Sequence, residues 1–527
     1  MTRRSVGRSA AGMGAAAALS RGFGAFRVIV LAAVLGTTYL GNTFQGANQF
    51  STVLFELLAA GALSAVLVPT FVSLLEAGDQ PGAERLAGGV LGVALVVLGA
   101  ISLVGVIAAP WFAHLLATEV SNPTIAAQQE ALSTYLLRWF IPQLVLYGVG
   151  AVATAVLYAR RVFALPAAAP IGNTVVMVAL LWVFALVAGP HPGLQLTGGE
   201  KLLLGLAGTL GVAAFVAIPT VAVMISGFSL RPHFAVRDPD VRKLLALGSW
   251  ATLQHAAAAL LLGAAIVVGG GVAGGVVAFQ IGWFFFLAPY GVVAQPIQTA
   301  VLPELVLSLE VAGHEGFGEL LRWAFGQTAV LLLPLSAAFV AFAAPAADIV
   351  AFGSARDGDG VHLIATAFAS LGAGILAYGI YLLYARAFFT LGDSRTPALV
   401  SVVVAIVGAV TMIAIGRKVS GTARVAVLGV VHVGAFTVAA VVLALMLWRR
   451  TGQSVWSGLA IPATALAVVM GAGAWWVVHT ISPAGRTGTT VLLIVTAGIV
   501  GVVYLAIARA LGWLRPRPVL RDLEVTS

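Results

Sequence analysis

The chain has 527 residues, of which 60% are hydrophobic and only 9% charged, with a formal net charge of +9 and a mean hydropathy of +1.04. So few charges could not cover the surface of a soluble protein of this length, which excludes that class. Apolar stretches long enough to cross about 30 Å of hydrocarbon recur from end to end, so the chain reads as an all-α, multi-pass membrane protein.

Fourteen segments are expected, near 18–40, 50–75, 86–113, 133–159, 163–188, 201–227, 243–269, 273–300, 320–344, 363–389, 397–416, 424–448, 458–479 and 489–511. The connections are short and leave no room for a soluble domain. With the N-terminus inside, 19 Lys and Arg residues fall on cytoplasmic segments and six outside, with Arg21, Arg27 and Arg138 within helices. That bias follows the positive-inside rule with both termini cytoplasmic, and it accounts for the net charge without nucleic acid. The cluster Arg417, Lys418 and Arg424 is the one connection that fits poorly. Arg3, Arg4 and Arg8 before the small residues Ala15–Ala18 resemble a signal peptide, but Arg21 and Arg27 interrupt its apolar core, so cleavage is not expected.

Two internal echoes organise the chain. Leu157–Leu165 (LYARRVFAL) and Leu383–Leu391 (LYARAFFTL) agree at six of nine positions. Pro69–Glu76 (PTFVSLLE) and Pro303–Glu310 (PELVLSLE) share Pro, Val, Leu and Glu in register. The offsets, 226 and 234 residues, agree apart from loop slack. Two copies of a unit in the same orientation point to a two-lobed transporter with a central site.

Motifs for catalysis are missing. No lysine follows a glycine, so there is no Gly-Lys-Ser/Thr phosphate loop, and no HExxH or His/Asp/Glu cluster appears. The acids Asp348, Asp357 and Asp359 read as a solvated loop. An enzyme is therefore not expected, nor a cofactor, and without cysteine neither disulfides nor thiolate metal sites are available.

The informative residues are polar ones within apolar helices. Arg21 and Arg27 point about 120° apart on a helix. An ion at mid-bilayer costs about 2.5–3.5 kcal/mol on insertion scales, so it faces a partner or a watery cavity. Glu56 in the second segment is the expected partner for one of them, while Arg21 has the alternative of snorkelling to the inner interface. Asn42 and Gln45 would share a helix face with Gln49, lining a hydrophilic cavity or cross-linking helices near the outer surface. Arg138, Gln143, Asn173, Gln254, His255, Gln280, Gln295 and Gln298 recur further on, and Pro142, Pro166, Pro170, Pro289 and Pro296 can interrupt helices.

Ser20-Arg21-Gly-Phe-Gly24 with Phe26-Arg27, then Leu35-Gly36, and Ala60-Gly61 leading to Val68-Pro69, resembles the opening of the MurJ (MviN) lipid II flippases. Asp393-Ser-Arg-Thr-Pro397 after Ala387-Phe388-Phe389 resembles that family's exit from its tenth helix, and Arg161–Pro166 its fourth-to-fifth helix turn. Such proteins belong to the multidrug/oligosaccharidyl-lipid/polysaccharide exporter superfamily. The resemblance implies six helices, six helices and two more, with cavity arginines holding a lipid pyrophosphate and the last two helices forming a groove for its tail. Arg21 and Arg27 match two of those arginines. Elsewhere the chain departs: Asn42 stands for an acid, Phe55 and Glu56 for an arginine pair, Ala60 for another acid, and Phe284 for a helix-eight arginine. Arg138 is the candidate replacement cation.

These readings imply an N-lobe at 1–228, a C-lobe at 229–450, and two further helices with a cytoplasmic tail at 451–527. The expected function is alternating-access flipping of a polyprenyl-pyrophosphate-linked saccharide, lipid II by resemblance, across the bacterial cytoplasmic membrane for peptidoglycan synthesis. Arg27, Arg21, Arg138, Asn42, Gln45 and Glu56 form the expected substrate site. Partners are that lipid-linked saccharide, membrane lipids and envelope-synthesis proteins. The missing arginines keep two alternatives open: a transport-incompetent scaffold for envelope assembly, and an exporter of another lipid-linked glycan.

Overall fold

The computed structural model describes residues 3–57, 61–235, 249–481 and 485–514. Arg237, Arg242, Lys243, Arg515, Arg517 and Arg521 of the charge count, and Ala60, lie outside the described residues. Among the described residues there is no strand, and the protein is a multi-pass, all-α membrane protein.

Among the described residues, ten helices are long and apolar enough to cross a membrane, or eleven if one pair bent by 43° counts as a single span. This is fewer than the fourteen expected. One qualifying stretch, Gly275–Ala341, is 67 residues long. At 1.5 Å per residue it would run about 100 Å, too long for one crossing. It breaks at Gly313, whose φ of 61° and ψ of −150° are open only to glycine.

The chain forms two compact units. The first comprises Met1–Val277 and Phe352–Asp357. Its helices are α1 (Arg3–Leu35), α2 (Tyr39–Phe55), α3 (Gly61–Glu76), α4 (Gln80–Ile107), α5 (Ala109–Ala117), α6 (Pro123–Phe140), α7 (Gln143–Ala159), α8 (Ala164–Ala188), α9 (Gly198–Ile225) and α10 (Ser249–Gly270). Their starts follow from local chemistry. Asp79 accepts a hydrogen bond from the Gly82 amide ahead of α4, Asn122 accepts from Thr124 and Ile125 ahead of α6, and Thr197 with Glu200 closes a capping box on α9. Pro142 sits at the break between α6 and α7, while Pro166 and Pro170 lie within α8.

Unit 1 packs α1 on α8, α8 on α9, and α7 on both α4 and α9, with α2 held against α6, α7 and α10. Fully buried Phe44 and Phe140 meet edge to face at 5.7 Å. Gly208 of α9 lies directly under the Phe140 ring, where an added Cβ would come within 2.3 Å. Close backbone approach through small residues is how membrane helices gain packing without a hydrophobic drive between them.

The second unit comprises Ala278–Ala351 and Gly358–Ser527. Helix α11 (Gly275–Pro289), which straddles the boundary, leads through a π turn at Tyr290–Ala294 into α12 (Gln295–Ala341). There follow α13 (Ala343–Val350), α14 (Gly360–Gly372), α15 (Ile375–Thr390), α16 (Arg395–Gly416), α17 (Gly421–Thr451), α18 (Ala460–Thr480) and α19 (Gly485–Ala510). Pro289 and Pro296 flank the π turn, and Gln298 spans from the Tyr290 hydroxyl at 3.3 Å to the Gly379 carbonyl at 2.8 Å.

Within each unit the two LYAR copies share a pattern: Leu157 and Leu383 are buried, and Arg160 and Arg386 half-buried. Arg160 donates to Ser226 and lies 5.5 Å above the Phe228 ring, joining the ends of α7 and α9. Arg161, at φ 63°, pairs with Glu76 at 3.1 Å. In unit 2, Arg450 at the end of α17 pairs with Asp393 at 2.5 Å, and Asp393 also accepts from the Thr396 amide and hydroxyl.

Candidate intramembrane polar site

Unit 1 carries a row of polar groups along α2 and the helices facing it. At one end of that row, Thr38 caps α2 by accepting from the Gly41 amide at 3.2 Å. Asn42, 1% exposed, donates to the Val272 carbonyl at 2.6 Å and accepts from the Val276 amide at 3.0 Å. Its amide clasps the backbone entering α11. Gln45 is buried at 7% exposure on the next turn.

Further along, a hydrogen-bonded ladder joins four helices, α2, α7, α9 and α6. Ser51 of α2 donates to Gln143 of α7 at 3.2 Å, Gln143 donates to Thr209 of α9 at 3.3 Å, and Thr209 donates to the Trp139 carbonyl at 3.0 Å. One turn beyond Gln143, the Tyr147 hydroxyl lies 3.4 Å from that of Thr52. The Tyr147 ring leans on Phe55 with centroids 5.4 Å apart.

The charged residues stand beside this ladder. Arg27, half-buried on α1, lies within electrostatic range of Tyr147 and makes no ion pair among the described residues. Glu56, half-buried where α2 widens to a π turn, lies within range of Tyr147 and of His255 on α10. Of the two arginines for which Glu56 was the expected partner, Arg27 makes no ion pair with it among the described residues; the Tyr147 phenol stands near both. Arg21 is half-buried two turns before Arg27. Arg138 is exposed on the last turn of α6, and no described hydrogen bond or ion pair joins it to Arg27.

Arg21, Arg27, Asn42, Gln45, Glu56 and Arg138 therefore have different settings. Arg27 and Glu56 share the neighbourhood of Tyr147, whereas Asn42 is committed to backbone and Arg138 faces outward. Tyr147 was not singled out by sequence reasoning; the signal for it was its place one turn after Gln143 in a segment opened by Pro142. No group of three or more His, Cys, Asp or Glu able to hold a metal occurs among the described residues.

Unit 2 contributes an apolar groove of about 500 Å³ between α12 and α18, lined by Leu333, Val340, Thr464, Val468 and Trp475 among others. Its walls are methyl groups and one indole, with Ser336 and Thr464 the hydroxyl-bearing residues. Such a surface suits a hydrocarbon chain rather than a sugar.

Comparison with known proteins gives a consistent outcome. A probable lipid II flippase MurJ of Rhizobium tropici is 26% identical over 538 aligned residues, covering 97% of this chain and 95% of that protein. The lipid II flippase MurJ of Burkholderia cenocepacia is 25% identical, covering 74% of each chain. Among solved structures, a lipid II flippase MurJ in an inward closed conformation superposes with a TM-score of 0.73 at 16% identity, covering 95% of this chain and 99% of that one. An inward-facing multidrug resistance MATE transporter of the MOP superfamily follows with a TM-score of 0.65 at 15% identity, covering 82% and 94%. At those identities the structures establish the fold alone. The family profile described as lipid II flippase MurJ matches residues 31–496, and the chain belongs to that family.

Proposed function

We propose that this chain moves lipid II, a polyprenyl-pyrophosphate-linked saccharide, from the inner to the outer leaflet of the bacterial cytoplasmic membrane for peptidoglycan synthesis. Arg27 carries the reading at the level of the site. It is an intramembrane arginine with no carboxylate partner among the described residues, in a chain whose family profile is that of lipid II flippases. An ionised side chain in that position is expensive unless it meets a compensating charge, and a diphosphate supplies one. Arg21, two turns away, is a second cation for the same anion.

The lobes in this reading are 1–228 and 229–450, working by alternating access, with 451–527 as a lateral addition. The groove between α12 and α18 takes the polyprenyl tail, consistent with its apolar lining. Both termini are cytoplasmic, following the distribution of Arg and Lys. Outward movement of a diphosphate is favoured by an inside-negative potential, by about 2.3 kcal/mol per charge per 100 mV, so no nucleotide is required. Envelope-synthesis proteins are the expected neighbours in the cell.

The test is replacement of the resident flippase in a depletable bacterial strain by this chain, with lipid II on the outer leaflet measured by a membrane-impermeant enzyme. Restored outer-leaflet lipid II supports the reading. A stably inserted chain that leaves lipid II on the inner leaflet removes it, and the scaffold and altered-substrate readings then take its place.

A further inference from the structure

We infer that Tyr147 is a substrate-contacting residue, whose hydroxyl donates to a pyrophosphate oxygen held by Arg27. The inference rests on the lipid pyrophosphate reading above and adds to it a residue of a different chemical kind. The Tyr147 hydroxyl lies 3.4 Å from that of Thr52, at the long end for a bond between two hydroxyls, with the Ser51 hydroxyl also within its reach, so its proton has neutral partners only. The helix beneath it is not loose. Ser51, Gln143, Thr209 and the Trp139 carbonyl tie α2, α7, α9 and α6 together one turn away, and Phe55 braces the ring. Tyr147 thus presents a movable proton on a fixed ring.

The charge balance explains why a neutral donor belongs here. A pyrophosphate brings two or more negative charges, and Phe55, Glu56 and Phe284 stand where the family resemblance places arginines. Glu56 is itself within electrostatic range of Tyr147. A further cation at position 147 would pair with Glu56 and be lost to the substrate. A phenol has no net charge to be captured, and its single O–H can leave the neutral hydroxyls of Thr52 and Ser51 for a stronger, charge-assisted acceptor when the anion arrives.

The experiment measures binding of lipid II to the purified full-length chain in detergent, for wild type, Tyr147→Phe and Thr52→Val, alongside thermal unfolding of each. Phe keeps the ring against Phe55 and removes only the hydroxyl, so the expected result is roughly tenfold weaker binding with an unchanged unfolding temperature, the typical worth of one hydrogen bond to a charged group. Thr52→Val takes away one resting partner of the hydroxyl and leaves the donor in place, so it should bind as wild type does. Equal binding by wild type and Tyr147→Phe overturns the inference and leaves the flippase reading standing. Parallel losses in Tyr147→Phe and Thr52→Val show that the two hydroxyls form a structural link, which also overturns it. Failure of folded wild-type chain to bind lipid II removes the flippase reading and this inference together.

Discussion

Replacing Asn42 by Ala tests whether this residue is a clasp or a ligand group. In the native chain its side chain serves two backbone groups, accepting from the Val276 amide at 3.0 Å and donating to the Val272 carbonyl at 2.6 Å. The two losses are unequal. Val276 is 1% exposed and in the first turn of α11, where an amide has no partner within its own helix, so removing Asn42 orphans it. An unsatisfied buried donor costs about 1–3 kcal/mol. The Val272 carbonyl still accepts from the Gly275 amide at 2.9 Å, so only an ordinary hydrogen bond of about 1 kcal/mol is lost there. Together the variant should be destabilised by about 2–4 kcal/mol, read by reversible unfolding in mixed micelles. Asn42→Asp keeps the acceptor for Val276 but sets a carboxylate against the Val272 carbonyl, and should be at least as unstable. The folded fraction of Asn42→Ala should bind lipid II as wild type does. Native stability in Asn42→Ala combined with weakened lipid binding would refute the clasp and return Asn42 to the substrate site.

Arg27→Ala should abolish complementation of a flippase-depleted strain, and Arg27→Lys should restore it only in part, since an ammonium lacks the planar fork that grips two phosphate oxygens; full growth with Ala would eliminate the anion role. Gly208→Ala should destabilise unit 1 by about 1–3 kcal/mol, because the new Cβ falls 2.3 Å from the fully buried Phe140 ring and neither helix can retreat alone. Burial pushes the Asp393 carboxyl up, but the Thr396 amide and hydroxyl and the Arg450 guanidinium outweigh it and hold the group below its ordinary value. A depressed folded-state pKa stabilises above the unfolded value of about 4 and is lost as pH falls through the folded one, so Asp393→Asn should flatten the acid limb of a stability–pH profile below about pH 4. Arg138→Ala should leave complementation intact if its exposed position on α6 is its working one, and impaired export would restore it as the replacement cation.

Membrane class, helical architecture and family were legible in the chain itself, because each rests on a property that survives without coordinates. Too few charges to coat a soluble body, apolar runs of bilayer length, and an Arg21–Arg27 spacing followed by Leu35-Gly36 are all linear facts. The count of crossings was less legible. The segments expected near 273–300 and 320–344 already divided Gly275–Ala341, but nothing local marks Gly313 as the residue at the break, since glycines are common throughout. Side-chain partnership was decided by tertiary structure alone. Asn42 and Val276 are 234 residues apart, and nothing local says that one caps the other. Glu56 was the expected partner for one of Arg21 and Arg27, yet α7 brings Tyr147 near both Arg27 and Glu56, and α10 brings His255 to Glu56. Charge and periodicity are written along the chain, whereas which groups meet depends on how helices distant in sequence rotate and pack, and that is fixed by the fit of residues such as Gly208 and Phe140 rather than by the polar groups themselves.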